Sequence, residues 1–170
     1  MNPPQPDGEL RILIGGSIEE CIGEVFAKMI EKSFGYLHVH VRIFEDLREF
    51  LEAAAQSPPD LFLVYLYFGD PADEAITDPA TSRTEIYEII SDATDDQACF
   101  VTTCGLRIVT CLRAEFGKPV IVLTGCGNAP GRATAVEQAG GSALLLLPCD
   151  TAECAAAIGI CIQRNSNISQ

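Results

Sequence analysis

The sequence predicts a single doubly wound α/β domain built on a five-stranded parallel sheet, and three observations lead there. Short apolar runs of strand length alternate along the chain with segments whose apolar residues recur at helical spacing. One run, residues 61–68 (LFLVYLYF), is continuously apolar, as a central parallel strand covered by helices on both faces must be. Gly, Pro and Asp punctuate the boundaries between runs. A chain of 170 residues fits one domain, and a domain of that size buries roughly 70% of its unfolded surface without disulfide staples.

Taken in order, residues 10–15 (LRILIG) read as the first strand, ending in the tight turn Gly15-Gly16. Residues 18–34 then place Ile22, Val25, Phe26, Met29 and Ile30 at the spacing of an amphipathic helix. Residues 38–44 alternate and are β-branched, which predicts the second strand. A second helix over residues 45–55 carries Leu47, Phe50 and Leu51 on one stripe until Ser57-Pro58-Pro59 stops it. The third strand follows at residues 61–68.

Beyond Gly69 the character changes. Residues 70–98 hold nine acids against the single base Arg83, a net −8 that reads as a solvent-facing acidic insertion after the third strand. Residues 99–116 predict a longer helix closed by Gly117, and residues 120–124 (VIVLT) the fourth strand. Asn128 is a plausible N-cap for the next helix, opened by Ala129-Pro130 and ended by Gly140-Gly141. Residues 143–147 form the fifth strand, broken by Pro148, and Asp150 with Glu153 makes a capping-box-like start to a last helix running to about Gln163. The expected organisation is a flexible tail over residues 1–9, a domain over 10–163 and a C-terminal tail over 164–170.

Alternating strands and helices require right-handed crossovers and a parallel sheet, so the flavodoxin-like order 2-1-3-4-5 is expected. Ligands of such folds bind at the carboxyl ends of the strands. That edge is built from residues 15–17, 65–69, 124–128 and 147–149.

Composition excludes several classes. Formal net charge is −13, from 24 acidic and 11 basic residues, so the surface repels phosphate backbones and anionic lipid, and neither nucleic acid nor membrane is an expected partner. No apolar run approaches the roughly 20 residues of a membrane span, and the first nine residues are polar and Pro-rich without a basic run. A soluble, cytoplasmic protein is expected. Its eight cysteines then read as reduced thiols, and no CxxC pair occurs among them.

The order of motifs resembles the receiver domain of two-component response regulators. The resemblance is carried by Pro59-Asp60-Leu61-Phe62-Leu63-Val64-Tyr65-Leu66, by Lys118-Pro119-Val120-Ile121-Val122-Leu123-Thr124 and by residues 135–148 (AVEQAGGSALLLLP). It implies a phosphorylation site made of an acidic pair after the first strand, an aspartate ending the third, a Ser or Thr ending the fourth and a Lys before the proline after the fifth. At those positions the chain carries Gly16 and Ser17 (or Gly15 and Gly16 in the adjacent register), Tyr65, Thr124 and Leu147. Only Thr124 is retained. Phosphoryl transfer relies on a hard cation held by carboxylates and on fixed positive charge at the phosphoryl oxygens, so the resemblance implies an atypical, degenerate receiver lacking that chemistry.

Other candidates carry less. Residues 15–20 (GGSIEE) lack the full GxGxxG spacing of a dinucleotide loop. Cys104 with Cys111, and Cys154 with Cys161, fall on single helical faces, as core residues do. Cys126 and Cys149 instead follow strands near helix N-termini, where a thiolate is stabilised, and are candidates for a redox or ligand site together with Tyr65. His38 and His40 share a face of the second strand, commoner as an edge pair than as metal ligands. No cofactor or metal is expected. The expected function is a non-catalytic signalling domain that meets a protein partner or a second copy through the face over residues 129–163, as the resemblance implies. The alternative is a small-molecule or redox sensor using a pocket at the carboxyl strand edge. A small enzyme is disfavoured, because no acid-base pair converges there.

Overall fold

The computed structural model describes residues 8–16, 20–65, 101–124 and 132–168. Strands and helices alternate through them: β1 (Glu9–Gly15), α1 (Glu20–Ser33), β2 (His38–Phe44), α2 (Leu47–Gln56), β3 (Leu61–Tyr65), α3 (Val101–Phe116), β4 (Val120–Thr124), α4 (Arg132–Gln138), β5 (Ala143–Leu146) and α5 (Thr151–Ile168). All strand pairs are parallel and the sheet order is β2-β1-β3-β4-β5. This is the doubly wound order expected from the sequence.

Alternation along the strands sorts the core into two layers. Leu13, Phe62, Val64, Val120 and Val122 face α2 and α3, whereas Leu10, Ile12, Ile14, Leu61, Leu63, Ile121, Leu123 and Leu145 face α1 and α5. The β3 and β4 residues Leu61 to Val64 and Val120 to Leu123 are fully buried, which is why both strands read as unbroken apolar runs. A row of aromatic rings runs through the first layer. Phe44 meets Phe50 at 6.1 Å between centroids, Phe50 meets Phe62 at 5.7 Å, and Phe62 meets Phe116 at 5.5 Å. Contacts of this kind add about 0.5–1.5 kcal/mol per pair beyond area burial.

Local signals fix the helix ends. Asp46 caps α2, its carboxylate accepting the Glu49 N–H at 3.0 Å, and the Ser57 N–H closes the helix on Ala53 O. Asp150 does the same for α5, accepting the Glu153 N–H at 2.7 Å. Both satisfy amide groups that a helix start leaves unpaired.

Several boundaries move. Glu9 pairs with His38 and belongs to β1, so the expected N-terminal tail is shorter at its inner end. The last helix continues to Ile168, so residues 164–168 are helix where a tail was expected. β5 ends at Leu146, and α2 begins at Leu47 with Asp46 as its cap. Val25 does not join the apolar stripe of α1: it is 67% exposed, because the helix seats Phe26, Ile30 and Phe34 on the sheet and turns Val25 outward. The acidic insertion, the end of the predicted third strand, and the Asn128 cap lie outside the described residues. Among the described residues no helix is long and apolar enough to cross a membrane.

Candidate functional site

The topology brings the carboxyl ends of β1, β3, β4 and β5 to one edge of the sheet, and with them Gly16, Tyr65, Thr124 and Leu147. Gly15 is flanked in register by Phe44 on β2 and Val64 on β3, so the next step along β1 brings Gly16 beside Tyr65. The Gly16 N–H donates to Phe44 O at 3.0 Å. Its φ is +131°, a conformation that L side chains rarely adopt. A Cβ built on Gly16 would stand 2.6 Å from Tyr65 Cβ and 3.0 Å from Tyr65 O. Backbone conformation and steric contact therefore both require glycine there.

Tyr65 is half-buried and packs against the layer under α1 and α5, as do Leu147 and Cys149. Thr124, 1% exposed, is a fully buried polar residue, and its carbonyl accepts the Leu147 N–H at 2.8 Å, which ties the ends of β4 and β5 together. Leu147 precedes Pro148 through a cis peptide bond. The four positions stand at this one edge and offer only a bare glycine Cα, a phenol, a hydroxyl and an isobutyl group. None is a carboxylate or an ammonium. Ser17 and Cys126 lie outside the described residues.

Cys149 departs from its expected chemistry. Its position just before α5 suggested a stabilised thiolate, yet burial first, and then the Glu153 and Asp150 carboxylates, push the thiol up from its ordinary value. Burial disfavours the thiolate, and the acids that cap and open the helix add to that penalty. Cys154, one turn into α5, is hydrogen-bonded to Cys149 and is pushed up to about 12, mainly by burial. Cys111, Cys154 and Cys161 are all buried, matching their core-like spacing. Raised in this way, the Cys149 and Cys154 thiols stay protonated at neutral pH, which weakens a redox reading of Cys149.

His38 and His40 are exposed on the edge strand β2, where His40 Nε2 lies 3.4 Å from Glu9 Oε1. Glu9 is engaged by Arg11 as well, through contacts of 3.0 and 3.1 Å, and this pairing chiefly holds its carboxyl below the usual range. Among the described residues no group of three His, Cys, Asp or Glu side chains is placed to hold a metal ion.

The sheet order, its crossovers and this edge define a receiver-like fold of flavodoxin type. Similar structures include the receiver domain of the response regulator NarL from Mycobacterium tuberculosis, at a TM-score of 0.60 and 16% identity, with 92% of this chain and 98% of that one covered. A response regulator receiver domain protein from Clostridium thermocellum gives 0.60 and 16%, over 94% and 98%. The N-terminal receiver domain of RstA from Klebsiella pneumoniae, solved in a BeF3-activated form, gives 0.61 and 15%, over 89% and 97%. No family model and no curated protein matches the sequence.

The strand-edge positions were legible from the order of motifs. The sequence does not single out two arginines, Arg113 and Arg164, which line a cleft at the opposite, amino end of β5. The signal available was their scarcity, since the chain has only 11 basic residues, but nothing in their spacing joins α3 to α5.

Proposed function

We propose that the chain is a degenerate receiver-like signalling domain, without catalysis of its own, that works through protein–protein contact over residues 129–163. The observation that carries this reading is the packing of Gly16 on Tyr65. Where a receiver places metal-binding acid and phosphoacceptor, this chain has a glycine that admits no side chain, packed against the Cα and Cβ of a tyrosine. Without carboxylates to hold a hard cation, the in-line transfer of a phosphoryl group loses its main electrostatic support. What persists is scaffold and surface. On that surface Ile160 of α5 is 50% exposed, an apolar anchor of the kind that interfaces use.

Incubation with acetyl phosphate and Mg²⁺, followed by intact mass measurement, tests the chemical half. No adduct is expected, and a labile phosphoryl adduct on the folded protein would overturn it. The interaction half is tested by light scattering over a concentration series and by crosslinking. Association that Ile160→Glu abolishes supports the face, and association indifferent to Ile160→Glu and to charge substitutions elsewhere on α5 removes it.

A further inference from the structure

A cleft of about 520 Å³ opens between α3, α4, the amino end of β5 and α5, within the range of small-molecule sites. It lies across the sheet from the receiver-like edge. Its floor is apolar, made by Val136, Leu144 and the buried Cys161. Among the described residues its walls carry Arg113 and Arg164, opposed by one carboxylate, that of Glu137. On a chain of net charge −13, a cleft in which guanidinium groups outnumber carboxylates runs against the surrounding field.

Arg113 is held in place. Its Nη1 donates to Gly117 O at 3.4 Å, and its stem lies against Gly140, where an added Cβ would come within 3.2 Å of Arg113 Cγ. Gly140 has φ +92°, so the turn that ends α4 leaves room for that stem. Ser142 is fixed beside it: its N–H donates to Val120 O at 2.7 Å and its hydroxyl oxygen accepts the Val120 N–H at 3.2 Å. Burial pushes the Cys161 thiol up, while Arg164 and Arg113 both pull it down, so the two positive charges bear on one point of the floor.

We infer that this cleft binds a small molecule made of an apolar body and one oxyanion group, a carboxylate or a phosphate monoester, with Arg113 and Arg164 pairing the anion and the Val136, Leu144 and Cys161 floor taking the body. Guanidinium forks match both oxyanions in geometry. The site is separate from the residues that would meet phosphoryl chemistry, so it stands whether or not the strand edge is inert.

The test is an amide NMR titration of the full chain with phenyl phosphate, benzoate and neutral benzyl alcohol. Saturable shifts centred on residues 140–144 with at least one anion, and weaker binding by about tenfold or more in Arg113→Gln and in Arg164→Gln, are expected, because each removes a charge-assisted hydrogen bond. Lys28→Gln, which removes a charge from α1 away from the cleft, leaves the affinity unchanged. Preference between phenyl phosphate and benzoate tells which oxyanion the site takes. Equal binding of benzyl alcohol, equal loss in Lys28→Gln, or no saturable shift with either anion at millimolar concentration overturns the inference. Should Arg113→Gln disturb the spectrum beyond the cleft, Arg164→Gln, on the exposed side of α5, decides alone.

Discussion

Gly16 and Tyr65 stand side by side at the carboxyl ends of β1 and β3, with no room for a side chain between them: a Cβ on residue 16 would lie 2.6 Å from Tyr65 Cβ and 3.2 Å from Tyr65 Cα. Gly16→Ala adds that atom to a residue at φ +131°. It is expected to cost about 2–4 kcal/mol, combining overpacking with backbone strain, read as a lower urea midpoint at unchanged slope. A loss below about 1 kcal/mol would show that the strand ends part easily.

Restoring the acceptor alone should not restore the reaction. Tyr65→Asp supplies a carboxylate, but the neighbouring position still admits no side chain, so no second acid joins it to hold Mg²⁺. The expected result is no phosphoryl adduct with acetyl phosphate. Uptake by this variant would mean that an acid from another segment completes the site.

Phe50 is fully buried and forms edge contacts with both Phe44 and Phe62. Phe50→Ala therefore removes the middle of the aromatic row and is expected to cost about 3–5 kcal/mol. Ile160→Ser, at a half-exposed position, should stay within about 0.5 kcal/mol in dilute protein. Thermal or urea melts of the two variants side by side check the contrast.

The Cys154 thiol gives stability a dependence on alkaline pH. Its value in the folded chain, about 12, lies above the ordinary 9.0, so the folded state holds its proton where the unfolded chain releases it. Stability from this group is whole below pH 9 and falls as pH rises from there towards 12. Cys154→Ala should flatten that fall, even if it lowers stability at neutral pH by leaving a small void. Urea midpoints from about pH 8 upward separate the two effects. Parallel curves for both proteins would rule the contribution out.

How far the fold could be read depended on the range of each signal. The strand runs and the Asp46 and Asp150 caps are local, and they stand where pattern and side-chain chemistry put them. Val25 was misread because helical spacing gives the width of an apolar stripe but not the direction from which the sheet meets it. The end of α5 was missed because residues 164–168 are polar enough to pass for a tail, although the helix continues through them. At the candidate edge, motif order identified Tyr65, Thr124 and Leu147, but the closeness of Gly16 to Tyr65 is a cross-strand contact that no single segment contains. The reversed chemistry of Cys149 arises likewise from what surrounds it in space, since burial leads its causes.

The sheet also works as a partition. Among the described residues no buried side chain belongs to both hydrophobic layers, one resting under α2 and α3 and the other under α1 and α5. Away from the β5 edge, where Val136 and Cys161 line one cleft, damage at Phe50 therefore has no shared buried neighbour through which to reach Ile158. Phe50→Ala and Ile158→Ala, one in each layer, should combine with costs that add to within about 0.5 kcal/mol, so that each layer can vary in sequence without renegotiating the other.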